Sequence, residues 1–230
     1  MKYLYDTHVH TKEVSCCGAS SAAKQVRAFK KKGYTGIIIT DHLVRGYSNC
    51  DESLPWEERV RFHLSGYEKA KKEGDLCGLD VFLGWEYTSR ETRDGVDFLT
   101  YGLDAKFLLA YPDLVDLKIE EYCYLVRKHN GYIAQAHPFR NVAVLGMEAG
   151  PVSPMLIDGI EVYNAGRSES INAPAFEFAM KHNLFIQAGS DSHEESYPLN
   201  PCGIALGKKA ESIFDIIEAI KSRTVTIIRP

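Results

Sequence analysis

No apolar run in this 230-residue chain approaches the roughly 20 residues that a membrane-spanning helix needs. The opening MKYLYDTHVHT lacks the apolar centre of a secretory leader. The six cysteines, Cys16, Cys17, Cys50, Cys77, Cys123 and Cys202, contain no CxxC pair and no regular spacing. Two of them are adjacent, and neighbouring cysteines rarely bridge each other. A disulfide framework is therefore not expected, and the thiols read as reduced, in a cytoplasmic protein. Internal repeats, low-complexity tracts and Pro/Gly/Ser-rich linkers are also missing, which predicts one domain over residues 1–230. Positive charge is not in excess: the formal net charge is -4. That argues against long duplex nucleic acid and anionic membrane as partners. A small anionic substrate would need local positive charge, from metal ions or a few arginines.

The hydrophobic share of 45% and the charged share of 25% are those of a globular chain with a sizeable core. Short apolar runs alternate with helical stretches. The pattern predicts strands at 3–8, 36–40, 81–86, 97–103, 132–136, 159–163, 184–188, 203–206 and 225–228. It predicts helices at 21–32, 55–73, 119–130, 174–182 and 213–221. Such alternation means an α/β fold with a parallel sheet, and about seven units without an obvious edge strand favour a closed barrel.

Of the eight histidines, His8, His10, His42, His137 and His193 fall at or just after predicted strand ends, whereas His63, His129 and His182 lie in predicted helices. In a parallel barrel the strand ends form the mouth, so those five converge. In THVHT, His8 and His10 are two apart on an extended segment and point to one side, as two ligands of one divalent ion would. In TDH, Asp41 and His42 close the GIIIT strand. Glu86 ends a buried run in GWEYT, where a carboxylate needs a partner or a metal. His137 stands in AHP, and Asp191 and His193 in GSDSH. Taken singly, each has a plain alternative: a chance HxH, an Asp capping a loop, a Glu in a salt bridge. Independent core histidines would not all share one end of the predicted strands, so together they read as a metal site.

The order HxH, TDH, strand-ending Glu, AHP, SDxH resembles the PHP (polymerase and histidinol phosphatase) family, from Asp6 to His193. The resemblance implies a distorted TIM-like (β/α)7 barrel, two or three divalent ions (Mn, Zn or Fe), and hydrolysis of phosphate esters. It places His8, His10, Glu86 and Asp191 around a first ion, Glu86 and His137 around a second, and His42 and His193 around a third. Asp41 would orient the site, and GIEVYN would put Glu161 and Asn164 near the pocket rim. Two positions depart from the family. Asp97 stands where a His is usual, and KEVSCCG stands where an Asp or His is usual, so that Cys16 or Cys17 could ligate.

Such a cluster would activate a water for in-line attack on phosphorus, with Asp191 or His193 exchanging the proton. Arg140 and Arg167, and more weakly Arg45, fit phosphate oxygens, although each reads equally as a surface salt bridge. Tyr47, Trp56, Phe139 and Tyr163 would line a pocket or pack the core. The leading expectation is a phosphomonoesterase acting on a small phosphorylated metabolite. The alternatives are a phosphodiesterase or exonuclease on nucleotides or short nucleic acid, and a non-catalytic metal-binding domain. An amidohydrolase barrel also opens with HxH, but no strand-ending Lys is found to bridge its metals.

Overall fold

Short β-branched runs and amphipathic helices wind this chain into a sheet curled almost into a barrel. The computed structural model describes residues 2–44, 47–89, 96–140 and 150–230. Seven strands make the wall: β1 (Tyr3–Val9), β2 (Gly36–Ile39), β3 (Asp80–Ser89), β4 (Val96–Tyr101), β5 (Tyr132–Gln135), β6 (Gly159–Asn164) and β7 (Phe185–Gly189). Two more, β8 (Gly203–Leu206) and β9 (Thr226–Ile228), extend the sheet beyond β1, in the order β7-β6-β5-β4-β3-β2-β1-β8-β9. The helices are α1 (Ala22–Lys31), α2 (Trp56–Cys77), α3 (Ala105–Ala110), α4 (Ile119–Lys128), α5 (Glu169–His182) and α6 (Ile213–Lys221).

Within the seven-stranded wall the pairing is parallel except at β4, which runs antiparallel to both β3 and β5. Only residues 90–95 separate β3 from β4, too few for the crossover that a parallel pair requires. The reversal has a chemical effect. It brings the N-terminal end of β4 to the level where its neighbours end, so Asp97 pairs with Thr88 near the mouth.

The barrel is distorted because β1 divides its free edge. Its first half, Tyr3 to Tyr5, pairs antiparallel with β8. Its second half meets β7: Thr7 Oγ1 donates to the Ala188 carbonyl (2.9 Å), the Ser190 amide to Asp6 Oδ1 (3.0 Å) and the His10 amide to the Ser192 carbonyl (2.9 Å). Gly189 makes this approach possible, since a Cβ there would lie 2.5 Å from His8 Cβ.

Helices cover the wall. A large cluster joins Trp85 and Phe98 to Tyr122 and Val126 of α4 and to Phe107 of α3. A second packs Tyr5, Ile38, Leu99 and Tyr132 against Ile216 and Ile217 of α6. α3 is unannounced by apolar periodicity; Asp104 nucleates it by accepting from the Lys106 and Phe107 amides (3.0 and 3.1 Å). α5 begins at Glu169 rather than at Pro174. The proline interrupts one helical hydrogen bond, and the Asn172 side chain secures the turn before it by donating to the Asn164 and Arg167 carbonyls.

Candidate metal centre

The strand ends bring distant side chains to one place. His8 comes from β1 and His10 from the residue after Val9; Glu86 lies in β3, and His137 and Asp191 follow β5 and β7. All five are buried. His137 and Asp191 both adopt positive φ (25° and 55°), a left-handed backbone uncommon outside glycine and concentrated at functional sites. The strain at His137 is held by its amide, which donates to Glu161 Oε2 at 2.9 Å.

Four donor atoms meet. His8 Nε2 and His10 Nε2 are 3.0 Å apart. Glu86 Oε2 lies 3.4 Å from the first and 3.2 Å from the second. Asp191 Oδ1 lies 3.4 and 3.3 Å from them. A cation held by four ligands at about 2.0–2.2 Å sets its donors about 3.3–3.6 Å apart. The residues therefore fit a divalent ion. Two imidazole nitrogens this close also repel unless a proton or a cation lies between them.

The other oxygen of Glu86 turns toward His137 Nε2, 3.4 Å away, and makes no hydrogen bond among the described residues. Asp97 Oδ2 and Asp191 Oδ2 are each 3.9 Å from that nitrogen. Glu86 thus faces two neighbouring positions, one through each oxygen. His10 is stacked between His42 and His193, with ring centroids 4.7 and 4.6 Å away. His42 Nδ1 approaches Glu86 Oε2 at 3.3 Å. Donor groups close enough to share an ion are His8–Glu86–His137, His8–His10–Asp191, His10–His42–Glu86 and His10–Cys17–His193.

The far nitrogens fix the tautomers. His8 Nδ1 donates to Glu161 Oε1 (3.1 Å), leaving Nε2 with its lone pair toward the cluster. Ser15 Oγ donates to Asp41 Oδ1 (2.7 Å), so it accepts from His10 Nδ1 (3.1 Å). His193 Nδ1 donates to the Asp191 carbonyl at 2.6 Å. Asp41 also accepts from the Thr11 amide and hydroxyl, each at 2.6 Å, and so orients the loop that carries Ser15.

Charge within the cluster is strongly coupled. Burial would push His10 down, but hydrogen bonds and charge from Asp191 and Glu86 raise it to about 9. Burial opposes ionisation of Glu86 and Asp191, yet the surrounding imidazoles hold both carboxyls well below the usual range. Burial lowers His42 to about 3 and His193 to about 4, so both rings stay neutral. Asp97 is raised by burial and by the charge of Glu86, despite Arg140 beside it.

The residues read for substrate binding divide. Arg167 NH2 reaches Asp191 Oδ2 at 3.0 Å and Arg140 NH2 reaches Asp97 Oδ2 at 3.1 Å, with side chains 27% and 24% exposed. Both border the cluster. Asn164 does not stand at a rim. It is fully buried, donates to Glu161 Oε2 (2.9 Å) and accepts from the Gly166 amide (2.9 Å). Glu161 is likewise buried beneath His8, a support that its place in GIEVYN did not disclose. Among the aromatics, the Tyr47 ring stands 5.1 Å from that of His42. Trp56 donates to the Leu108 carbonyl and Phe139 packs on Phe178. Arg45 lies outside the described residues. A groove of about 780 Å³ lies at the opposite end of the barrel, between the start of β3 and the start of α6, and holds none of these donors.

Solved structures of the same fold bear related names. A two-domain protein from Bacteroides vulgatus that contains a predicted PHP-like metal-dependent phosphoesterase superposes with a TM-score of 0.74 at 16% identity, over 99% of this chain and 65% of that one. This chain thus spans about two thirds of that protein's length. A protein from Bifidobacterium adolescentis, named for metal-dependent phosphoesterase activity, gives 0.61 at 16% identity over 96% of each chain. A lesion-specific endonuclease from Pyrococcus furiosus gives 0.62 at 17% identity, over 99% of this chain and 58% of that one. No curated protein sequence matches. The sequence model of the PHP domain matches residues 6–146, which takes in His8, His10, His42, Glu86 and His137, and the chain accordingly belongs to the PHP domain family.

Proposed function

We propose that this chain is a metal-dependent phosphoesterase that hydrolyses a phosphomonoester of a small metabolite. The observation that carries the reading is the cage of His8 Nε2, His10 Nε2, Glu86 Oε2 and Asp191 Oδ1, set at the spacing of a cation's ligands. The resemblance to proteins named as phosphoesterases supports it. Two or three divalent ions (Mn, Zn or Fe) held there would supply an activated water and neutralise phosphoryl oxygens as charge develops.

The protein's own groups do the rest. His8, His10, Glu86 and Asp191 hold the first position, and Glu86 Oε1, His137 and Asp97 the second. Arg167 and Arg140, partly exposed beside Asp191 and Asp97, receive the phosphate oxygens in a fork geometry. Of the two residues read for proton exchange, Asp191 suits it better: the imidazoles keep it ionised within the cage. His193 has Nδ1 committed and a neutral ring, so it serves as a nitrogen donor.

A second reading, cleavage of a phosphodiester, draws on the likeness to the lesion-specific endonuclease. The net charge of -4 counts against a long duplex but leaves a short diester open. Metal-stripped protein supplied with Mn²⁺ is the test. Turnover of p-nitrophenyl phosphate over bis(p-nitrophenyl) phosphate supports the monoesterase. The reverse preference replaces it with a diesterase, and hydrolysis of neither ester leaves only a metal-binding domain.

A further inference from the structure

Helix α1 turns one face to the barrel. Its buried residues are Ala22, Gln25, Val26 and Phe29, at the i, i+3, i+4, i+7 spacing of an apolar stripe. Gln25 is the polar member of that stripe and is fully buried. A carboxamide in such a place costs stability unless its hydrogen bonds are made. They are made to the two segments that carry the cage. Gln25 Nε2 donates to the His10 carbonyl at 3.1 Å and to the Ser192 carbonyl at 3.2 Å. Ser192 Oγ lies 3.3 Å from the same nitrogen. That hydroxyl has one proton, and the Glu194 and Tyr197 carbonyls, each at 3.0 Å, are nearer to it than Gln25 Oε1 at 3.4 Å, so toward Gln25 it acts as an acceptor.

Both carbonyls belong to the ligand segments themselves: one to His10, the other to the residue between Asp191 and His193. The backbone joins these segments by the His10 amide on the Ser192 carbonyl (2.9 Å) and the Ser192 amide on the His8 carbonyl (3.3 Å). The left-handed backbone at Asp191 (φ 55°) persists only where its surroundings over-determine it, and Gln25 grips the very next residue. We propose that Gln25 is a positioning residue for the first metal position. From a helix that contributes no donor, its carboxamide straddles the His10 and Ser192 carbonyls and limits how far the two segments can part in the metal-free protein. The donors then stand near their final spacing before an ion arrives, and little binding free energy is consumed in drawing them together. The inference rests on the phosphoesterase reading only in taking the four-donor cage as a metal position; it does not need turnover.

Gln25→Met keeps the length of the side chain and removes both N–H donors. Val26→Ala, on the same buried face, loosens α1 without touching either carbonyl. Metal-stripped full-length proteins are titrated with Co²⁺, followed by the visible absorption of the bound ion and by metal per chain. Gln25→Met is expected to weaken the tightest Co²⁺ equivalent about 10- to 100-fold and to alter its visible band, as loss of a group that orients ligands does. Val26→Ala should keep the wild-type affinity and band. In the unmutated protein, stripped of metal, the Gln25 carboxamide protons should exchange with solvent far more slowly than those of exposed carboxamides, read by nuclear magnetic resonance, which depends on no variant folding. Unchanged affinity and band in Gln25→Met, an equal loss in Val26→Ala, or fast exchange at Gln25 overturns the assignment and leaves the cage standing. Failure of the wild type to bind Co²⁺ overturns the metal position and this inference with it.

Discussion

Three imidazoles at this site owe their readiness to what their far nitrogens touch. Glu161, Ser15 and the Asp191 carbonyl each take the Nδ1 proton, so His8, His10 and His193 present Nε2 without rearrangement. Glu161→Gln keeps the shape and removes the charge. It is expected to weaken divalent-metal affinity about 10- to 100-fold while the folded protein persists, as measured by competition with a chromogenic chelator. The arginines are the proposed contacts for phosphate. Arg167→Ala is expected to raise KM for a phosphomonoester about 10- to 100-fold, the worth of a charge-assisted hydrogen bond. Steady-state kinetics will check it, and an effect confined to kcat would count against a role in binding. The ligand types were legible in sequence because His, Asp and Glu at the ends of apolar runs are poor packing choices. Glu161 and Asn164 were not, because the same polar types serve equally below a ligand and beside a substrate. Only the pairing of β6 beside β5 and β7 decides between those uses.

At the scale of elements, α2 carries a titration of its own. His63 is buried against Trp85, with ring centroids 6.4 Å apart, and burial lowers it to about 4 from an ordinary 6.5. Between those values the unfolded chain binds a proton that the native state refuses. The stability held above pH 6.5 is therefore lost as pH falls toward 4, on the order of 3 kcal/mol from this residue. His63→Phe should flatten the acid side of the profile relative to wild type, followed by urea midpoints between pH 4 and 7. An unchanged slope would show that His63 does not carry it. Apart from α3 and the first turn of α5, the helices followed from periodicity and caps, such as Ser21 before α1, and so did most strands. The direction of β4 did not, since periodicity gives a strand no sense. The shortness of 90–95 was the available signal. α3 escaped because six residues carry too little periodicity and its start rests on one side chain, Asp104.

For the molecule as a whole, alternation of strand and helix was enough to foresee the barrel, but not the way in which β1 shares its edge between β8 and β7. The cluster also ties stability to metal. With free ion at about 1,000 times its dissociation constant, the native state gains about 4 kcal/mol. Thermal unfolding should accordingly shift upward by several degrees on adding Mn²⁺ or Zn²⁺ to stripped protein. Because His10 is held near 9, binding should release protons at neutral pH, and calorimetry in buffers of differing ionisation enthalpy will register them. An equal melting temperature with and without metal would exclude this coupling.

The junction between first and last wall strands is made of few backbone hydrogen bonds, and the donors on its two sides are His8 and His10 against Asp191. An ion gripped by all three would act as a clasp on a hoop, drawing its two ends together. Chemistry and closure then share the same bonds. Emptying the mouth is expected to loosen the ring at this one place while the β1–β2–β3 ladder stays shut, so the proposed metal centre would double as the lock of its own scaffold.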